Sequence, residues 1–335
     1  MQKVKVGLIG CGNFSRVIHV PNLQNNPKYE VIAAVDIFEK NAQETAEKVG
    51  AKYWTTDMDR VLADSEIDAV FITTRHDIHA ELTIKAARAG KHVLCEKPMA
   101  LNREECKAIA EAVKSCNVKY SVGYNRGIAP MITKTRELLK EDGHNKLVYH
   151  RMQARIPDDH WLLNREIGGG RFVGEGCHIF DLICEIIVKP PVMVYAAGGI
   201  FLNKEIVNVP DSGIITITFA DGSVGTTLIS SAGCNGIPKE ATEIYCNNKG
   251  IYIDNFTRMD YYGFEGHAKT SLQIDGEDKG HAILLNQFAD AILDGAEEPV
   301  GLKKAARAAV ISYRANESIE KGVPVAIKES DYTLY

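Results

Sequence analysis

The chain has 335 residues, 45% of them hydrophobic and 25% charged, with a formal net charge of −5 at neutral pH. That length exceeds what one hydrophobic core usually spans, so two domains are expected, and the even mixture of charges leaves no broad basic surface to bind a nucleic-acid backbone. The opening Met1-Gln2-Lys3-Val4-Lys5-Val6 puts charge inside a short apolar run and offers no small-residue cleavage site, which argues against a secretory signal or a membrane anchor and for the cytoplasm.

Short apolar runs then alternate with helical patterns: Val4 to Ile9, Val31 to Val35, Ala69 to Thr73, His92 to Cys95 and Tyr120 to Val122. This alternation predicts parallel strands joined by crossover helices, a doubly wound sheet over residues 1–123. One helix is expected from Ile78 to Ala89, ended by Gly90. Another opens at Asn102, with Glu105 completing a capping box ahead of the apolar stripe Cys106, Ile109, Ala110 and Val113. Residues 124–335 read differently. Ile215 to Phe219 and Val224 to Ile229 flank Asp221-Gly222 as a hairpin, and a second hairpin is expected to turn at Asn247-Asn248-Lys249-Gly250. With a long amphipathic helix near Leu302 to Lys321, this half is expected to be an α+β domain built on a large, open, mainly antiparallel sheet.

Gly10-Cys11-Gly12-Asn13-Phe14-Ser15 follows the first strand and opens the first helix. Glycines there permit a tight turn and close approach of backbone to a pyrophosphate at the helix N-terminus. Ser15 stands where Gly or Ala is usual, and a tight strand-to-helix turn is the plainer reading of the motif alone. Asp36 ends the second strand at the offset of an acid that binds both ribose hydroxyls and repels a 2′-phosphate. Because Ile37 and Phe38 follow it rather than arginine, NAD is favoured over NADP. Glu96-Lys97-Pro98 lies just after the fourth strand, at the edge where open parallel sheets bind ligands. The eight cysteines are scattered without a Cys-x-x-Cys pair and are expected to be reduced and mostly buried. The spacing of Cys177, His178 and Cys184 fits no common zinc pattern, so no metal is expected.

The run from Gly7 to Arg126 resembles the Gfo/Idh/MocA family of oxidoreductases. It carries Gly10-Cys11-Gly12, Asp36, Ala89-Gly90-Lys91-His92-Val93 leading into Glu96-Lys97-Pro98, and Gly123-Tyr124-Asn125-Arg126. The likeness resumes from Gly168-Gly169-Gly170 to His178-Ile179-Phe180-Asp181. It implies a Rossmann domain followed by an antiparallel sheet domain acting on sugars, cyclitols or their nucleotide-linked forms. Lys97 matches the family's catalytic lysine and His178 the histidine that faces substrate. Further cofactor contacts implied by the match are Asn13, Phe14, Thr73, Thr74, His79, Glu96 and Asn125. Arg126, Arg155 and Trp161 are expected on the substrate side, where Arg165 and Arg171 are also available to an anionic group. Asp159-His160-Trp161 reads equally well as an ordinary surface loop, and His267 and His281 are assigned no role.

Several positions depart from the family pattern. Gly174 stands where an aspartate is usual, four residues before His178, and Glu175 one place later is expected to assist instead. Arg75 and His76 replace the usual Pro-Asn ahead of His79, and Gly127 replaces a second arginine after Arg126. An alcohol loses a hydride readily only if its hydroxyl proton also leaves, so the activity needs a positioned base, the role Lys97 and His178 would share. Two other functions use almost the same residues. One is a redox-neutral lyase, glycosidase or epimerase that retains NAD and passes through a keto-sugar; the other is a non-catalytic dinucleotide sensor. The resemblance also implies a homodimer or homotetramer.

Overall fold

The computed structural model describes residues 2–264, 266 and 268–334; His267 therefore lies outside the described residues. The early apolar runs become strands β1 (Val4–Ile9), β2 (Tyr29–Val35), β3 (Tyr53–Thr55), β4 (Ala69–Ile72), β5 (His92–Cys95) and β6 (Tyr120–Val122). All five pairings are parallel, in the order β3-β2-β1-β4-β5-β6. Every residue of β4 is buried, as expected for a parallel strand covered on both faces. Chain order reverses between β1 and β4, so their carboxyl ends open side by side at the point where such sheets bind ligands.

The crossover helices are α1 (Val20–Gln24), α2 (Glu39–Val49), α3 (Met58–Ala63), α4 (His79–Arg88) and α5 (Arg103–Ser115). Ser15–His19, ahead of α1, winds as a π-helix. Gly90, with φ of 74°, takes the left-handed turn after α4 that a side chain would resist. At the start of α5, Asn102 Oδ1 accepts the Glu105 N–H at 2.9 Å, while Glu105 Oε2 accepts from Leu101 N–H at 2.9 Å. The return bond of the expected capping box thus reaches one residue further back.

The second half begins with α6 (Pro130–Leu139), β7 (Leu147–Gln153) and α7 (Cys177–Ile187), then β8 (Pro191–Gly199), β9 (Ser212–Phe219), β10 (Val224–Ser230), β11 (Glu240–Cys246), β12 (Lys249–Asp254), β13 (Arg258–Tyr262) and β14 (Thr270–Gln273). After α8 (His281–Leu293) and α9 (Leu302–Lys321), β15 (Val325–Ala326) completes a sheet of nine strands among the described residues. It is antiparallel except for β7 beside β10. The expected second hairpin is tighter than its sequence suggests. Asn247 and Asn248 alone turn, both at positive φ, and Lys249 and Gly250 already belong to β12. Two residues at φ > 0 make the turn whose twist matches the flanking strands.

One face of this sheet is covered. Gly225 of β10 lets α7 approach so closely that a β-carbon there would come within 2.3 Å of Ile183 Cγ2, and Ser318 of α9 accepts the Ala196 N–H of β8 at 2.9 Å. The other face presents Met193, Tyr195, Ile214 and Tyr245 to solvent, alternating with buried Ile215 and Ile217 as strand periodicity requires.

The chain divides into two compact units: Met1–Tyr124 with His281–Ala306, and Asn125–Gly280 with Arg307–Thr333. The chain first leaves the first unit after Tyr124 and re-enters it at His281. Residues 281–306 return to the first because α8 completes its core. Phe288 meets the Phe71 ring with centroids 6.2 Å apart, and Tyr29 Oη donates to Leu285 O at 2.7 Å. No helix among the described residues is long and apolar enough to cross a membrane. Replacing Asn102 by Ala should lower stability by about 1 kcal/mol, read as a shifted midpoint in urea at unchanged slope; an unchanged midpoint would show that the cap carries no weight.

Candidate active site

In the first unit the site is built on the turn after β1. Gly10 has φ of 93°, and a β-carbon on it would stand 2.8 Å from both C and O of Thr73, so only glycine brings β1 this close to the end of β4. A β-carbon on Gly12 would meet nothing within 4 Å, which leaves that stretch of backbone open to a ligand. The Cys11 N–H donates to Asp36 Oδ2 at 2.7 Å and the Phe38 N–H to Asp36 Oδ1 at 2.9 Å. Asp36 is thereby locked beside the glycine turn. Phe14, 42% exposed, and Ile37, 83% exposed, are large apolar side chains at its rim. A half-buried carboxylate beside an open glycine turn fits the ribose and pyrophosphate of a dinucleotide.

At the next two strand ends, the Thr73 N–H donates to Ile9 O at 2.8 Å and its hydroxyl to Gly10 O at 2.5 Å, tying β4 to β1. His79 is fully buried, with Nδ1 2.9 Å from Pro98 O and Nε2 3.2 Å from Thr74 O. Burial pushes its pKa down, outweighing the pull of the two carbonyls and of Glu96. The neutral ring has one N–H, which the shorter distance assigns to Pro98. His79 thus ties the start of α4 to the loop after β5. Lys97 is half-buried there, and its peptide bond to Pro98 is cis. Behind it the carboxylate of Glu96 lies 2.7 Å from His19 Nε2, with the two side chains 7% and 1% exposed. Sequence reasoning missed His19; its only signal was a histidine in the first helical turns after a glycine motif.

In the second unit, Asn125 and Arg126 turn away from open space. Asn125 Nδ2 donates to Lys279 O at 2.8 Å, and Arg126 grips Glu240 with two bonds of 2.7 and 2.8 Å. Lys279 Nζ and His150 Nε2 also face Glu240, at 3.2 and 3.6 Å. Burial alone would push the Glu240 carboxyl up, but Arg126, His150 and Lys279 together hold it well below the usual carboxylate range. Arg126, expected on the substrate side, thus has Glu240 as a partner within the second unit.

His178 lies in the first turn of α7 and is 4% exposed. The preceding Phe172–Gly176 winds as a π-helix, a form that takes more residues per turn and often marks functional sites. That winding changes the angular phase between Glu175 and His178. Glu175 lies between Arg171 Nη1 and Lys239 Nζ, each 3.6 Å away, with Arg171 almost wholly buried. Lys239 was not foreseen, although Lys239-Glu240 opens a strand with two charges. Arg155 is exposed and pairs with Asp158 at 3.2 Å, and Arg165 with Glu320 at 2.8 Å. Trp161 is half-buried and stacks on His160 with centroids 5.4 Å apart. All eight cysteines are free, and no three His, Cys, Asp or Glu among the described residues converge as metal ligands.

A parallel sheet in this order with an open glycine turn and an anchored acid defines a dinucleotide-binding Rossmann fold. The sequence agrees: residues 4–124 match the model of an oxidoreductase family with an NAD-binding Rossmann fold, and residues 140–252 match the GFO/IDH/MocA C-terminal domain. The chain belongs to the Gfo/Idh/MocA family. It is similar to myo-inositol 2-dehydrogenase of Thermotoga maritima, 25% identical over 97% of this chain and 99% of that protein. It is also similar to scyllo-inositol 2-dehydrogenase (NAD(+)) of Bacillus subtilis, 26% identical over 97% and 96% of the two chains. The fold is shared with levoglucosan dehydrogenase solved with NADH and levoglucosan, at a TM-score of 0.88 and 22% identity over 97% of this chain and all of that one.

Arg126→Met should cost about 3 kcal/mol or more at neutral pH, because Glu240 would remain buried without its main partner. The folded pKa of Glu240 is depressed, so its ion pairs stabilise fully above the unfolded carboxyl pKa of about 4.3 and lose their contribution as pH falls through the folded value. The gap between wild type and variant, followed by urea unfolding, should therefore narrow on acidification; a gap independent of pH would contradict this account.

Proposed function

We propose that the protein is an NAD-dependent oxidoreductase that moves a hydride to or from a secondary alcohol on a sugar or cyclitol ring. The observation that carries this reading is the Asp36 carboxylate, fixed by two backbone N–H groups beside the open backbone of Gly12. NAD, when bound, supplies the hydride acceptor or donor. Asp36 would take the ribose hydroxyls and disfavour a 2′-phosphate, with Gly10, Gly12, Asn13 and Phe14 along the phosphates and Thr73, Thr74, His79 and Glu96 bordering the nicotinamide end.

By family resemblance Lys97 and His178 are assigned the proton of the reacting hydroxyl. Lys97 would hold or release it at Nζ, His178 would orient the hydroxyl, and Glu175, bracketed by two cations, would remain an acceptor for a neighbouring substrate hydroxyl. Relatives named as inositol 2-dehydrogenases support a cyclitol or sugar as substrate. Eight free cysteines support a reducing compartment such as the cytoplasm. The solvent-facing Met193, Tyr195, Ile214 and Tyr245 support a second copy of the chain against that sheet face; sedimentation at a monomer's mass at micromolar concentration would remove that part of the reading.

The activity is tested by following reduced-cofactor absorbance with NAD or NADP and a panel of inositols, free sugars, glycosides and UDP-sugars. Absorbance should rise with NAD, and Lys97→Ala should lower kcat by roughly 10²–10⁴-fold. Full activity in that variant would end the assignment of Lys97. A flat trace with altered products by mass spectrometry would replace the reading with the redox-neutral one in which NAD is retained.

A further inference from the structure

We propose that His19 is a positioning residue for Lys97: its Nε2 donates to the buried carboxylate of Glu96, and Glu96 in turn holds the backbone of Lys97. The inference rests on the reading of Lys97 as the proton-handling base. All the groups involved belong to the first unit.

His19 Nε2 lies 2.7 Å from Glu96 Oε1, and Glu96 Oε2 accepts the Lys97 N–H at 3.2 Å. The two carboxylate oxygens therefore join the segment after the glycine turn to the lysine. The Glu96 N–H donates to Ile72 O at 2.8 Å, so its backbone is fixed to the end of β4. The fold has made room for this carboxylate. A β-carbon on Gly123, after β6, would stand 2.8 to 2.9 Å from the Glu96 carboxyl atoms. The His19 ring is held by edge contacts with Phe71, centroids 6.0 Å apart, and with Phe14, 5.7 Å apart. Phe14 lies in the glycine motif itself, so a ligand resting on that motif and the ring that carries Glu96 share a neighbour.

A carboxylate this deeply buried is costly unless a donor meets it. The titratable groups that interact with Glu96 include His19, Lys97, His281, His79 and Cys95. Burial raises its pKa, and His19 first, then Lys97 and His281, bring it below the usual carboxylate value. Without His19 the carboxylate would lose the donor that does most to offset its burial, and the negative charge and the acceptor it presents to Lys97 would be held less firmly. His19 Nδ1 has no hydrogen-bond partner among the described residues. The ring is thus used at one nitrogen, as a donor, and any side chain that brings an N–H to the Nε2 position should serve. Glutamine does this and asparagine, whose amide ends nearer the backbone, does not.

The experiment compares His19→Gln, His19→Asn and His19→Leu in the full chain, each with its melting temperature. The first readout needs no cofactor: the pH dependence of Lys97 acetylation, followed by peptide mass spectrometry. Wild type and Gln should share one midpoint, with Asn and Leu lower by up to about one unit, the effect of weakening a neighbouring negative charge. The second is turnover with NAD, where Gln should stay within about fivefold of wild type and Asn and Leu should fall by about tenfold to a hundredfold in kcat. Unchanged midpoints and turnover in Asn would overturn the proposal. So would a fall in Gln equal to that in Asn, which would mean that the ring passes a proton rather than holding a carboxylate. Should Leu fail to fold, Gln against Asn still decides. Full activity of Lys97→Ala would sink the base assignment alone, since the acetylation midpoints still report whether His19 acts on Lys97 through Glu96.

Discussion

Where β1 runs out at Gly10, the carbonyl of Thr73 leaves no space for a side chain, and the site in the first unit depends on that contact. Because the backbone passes so close to β4 at a positive φ, the next N–H, that of Cys11, points back across β2 to Asp36. Asp36 is then fixed in place before any ligand arrives, and Gly12 is left bare beside it. A side chain at position 10 would separate the two strand ends, and the acid, the open backbone and the loop carrying Thr73 would no longer converge. Preorganisation of this sort reduces the ordering that binding must otherwise impose.

Both units also solve the same electrostatic problem. A buried carboxylate is tolerated only with donors or cations around it. Glu96 has His19 and the Lys97 N–H; Glu240 has Arg126, His150 and Lys279. Each carboxylate stands next to residues that the family resemblance makes functional. The partners differ in consequence. Arg126 meets Glu240 through its guanidinium, whereas Lys97 gives its backbone N–H to Glu96 and is itself half-buried.

Much of the first unit was legible because its signals are local. Strand β5 from His92 to Cys95 and β6 from Tyr120 to Val122 fall where periodicity and turn residues put them, as does helix α9 from Leu302 to Lys321, most of which belongs to the second unit. The glycine motif and Asp36 were readable for the same reason, since a tight turn and a strand-end acid each announce themselves by residue type. What sequence could not give were the long-range pairings. Nothing near Arg126 signals Glu240, 114 residues away, and nothing near His19 signals Glu96, 77 residues away. The return of α8 to the first unit was hidden likewise, because an apolar helical face does not name the core it will fill. The π winding of Phe172–Gly176 escaped notice too, and with it the surroundings of Glu175, since α and π turns use the same residue types.

The central claim is that the first unit is preformed for a dinucleotide with a free 2′-hydroxyl. Calorimetric titration of NAD⁺ and NADP⁺ into the wild-type protein and into Asp36→Ala tests it most directly. The account predicts that wild type binds NAD⁺ more tightly by about tenfold or more, a difference of about 1.4 kcal/mol, and that the variant loses this preference. Equal or tighter binding of NADP⁺ by the wild-type protein would contradict it.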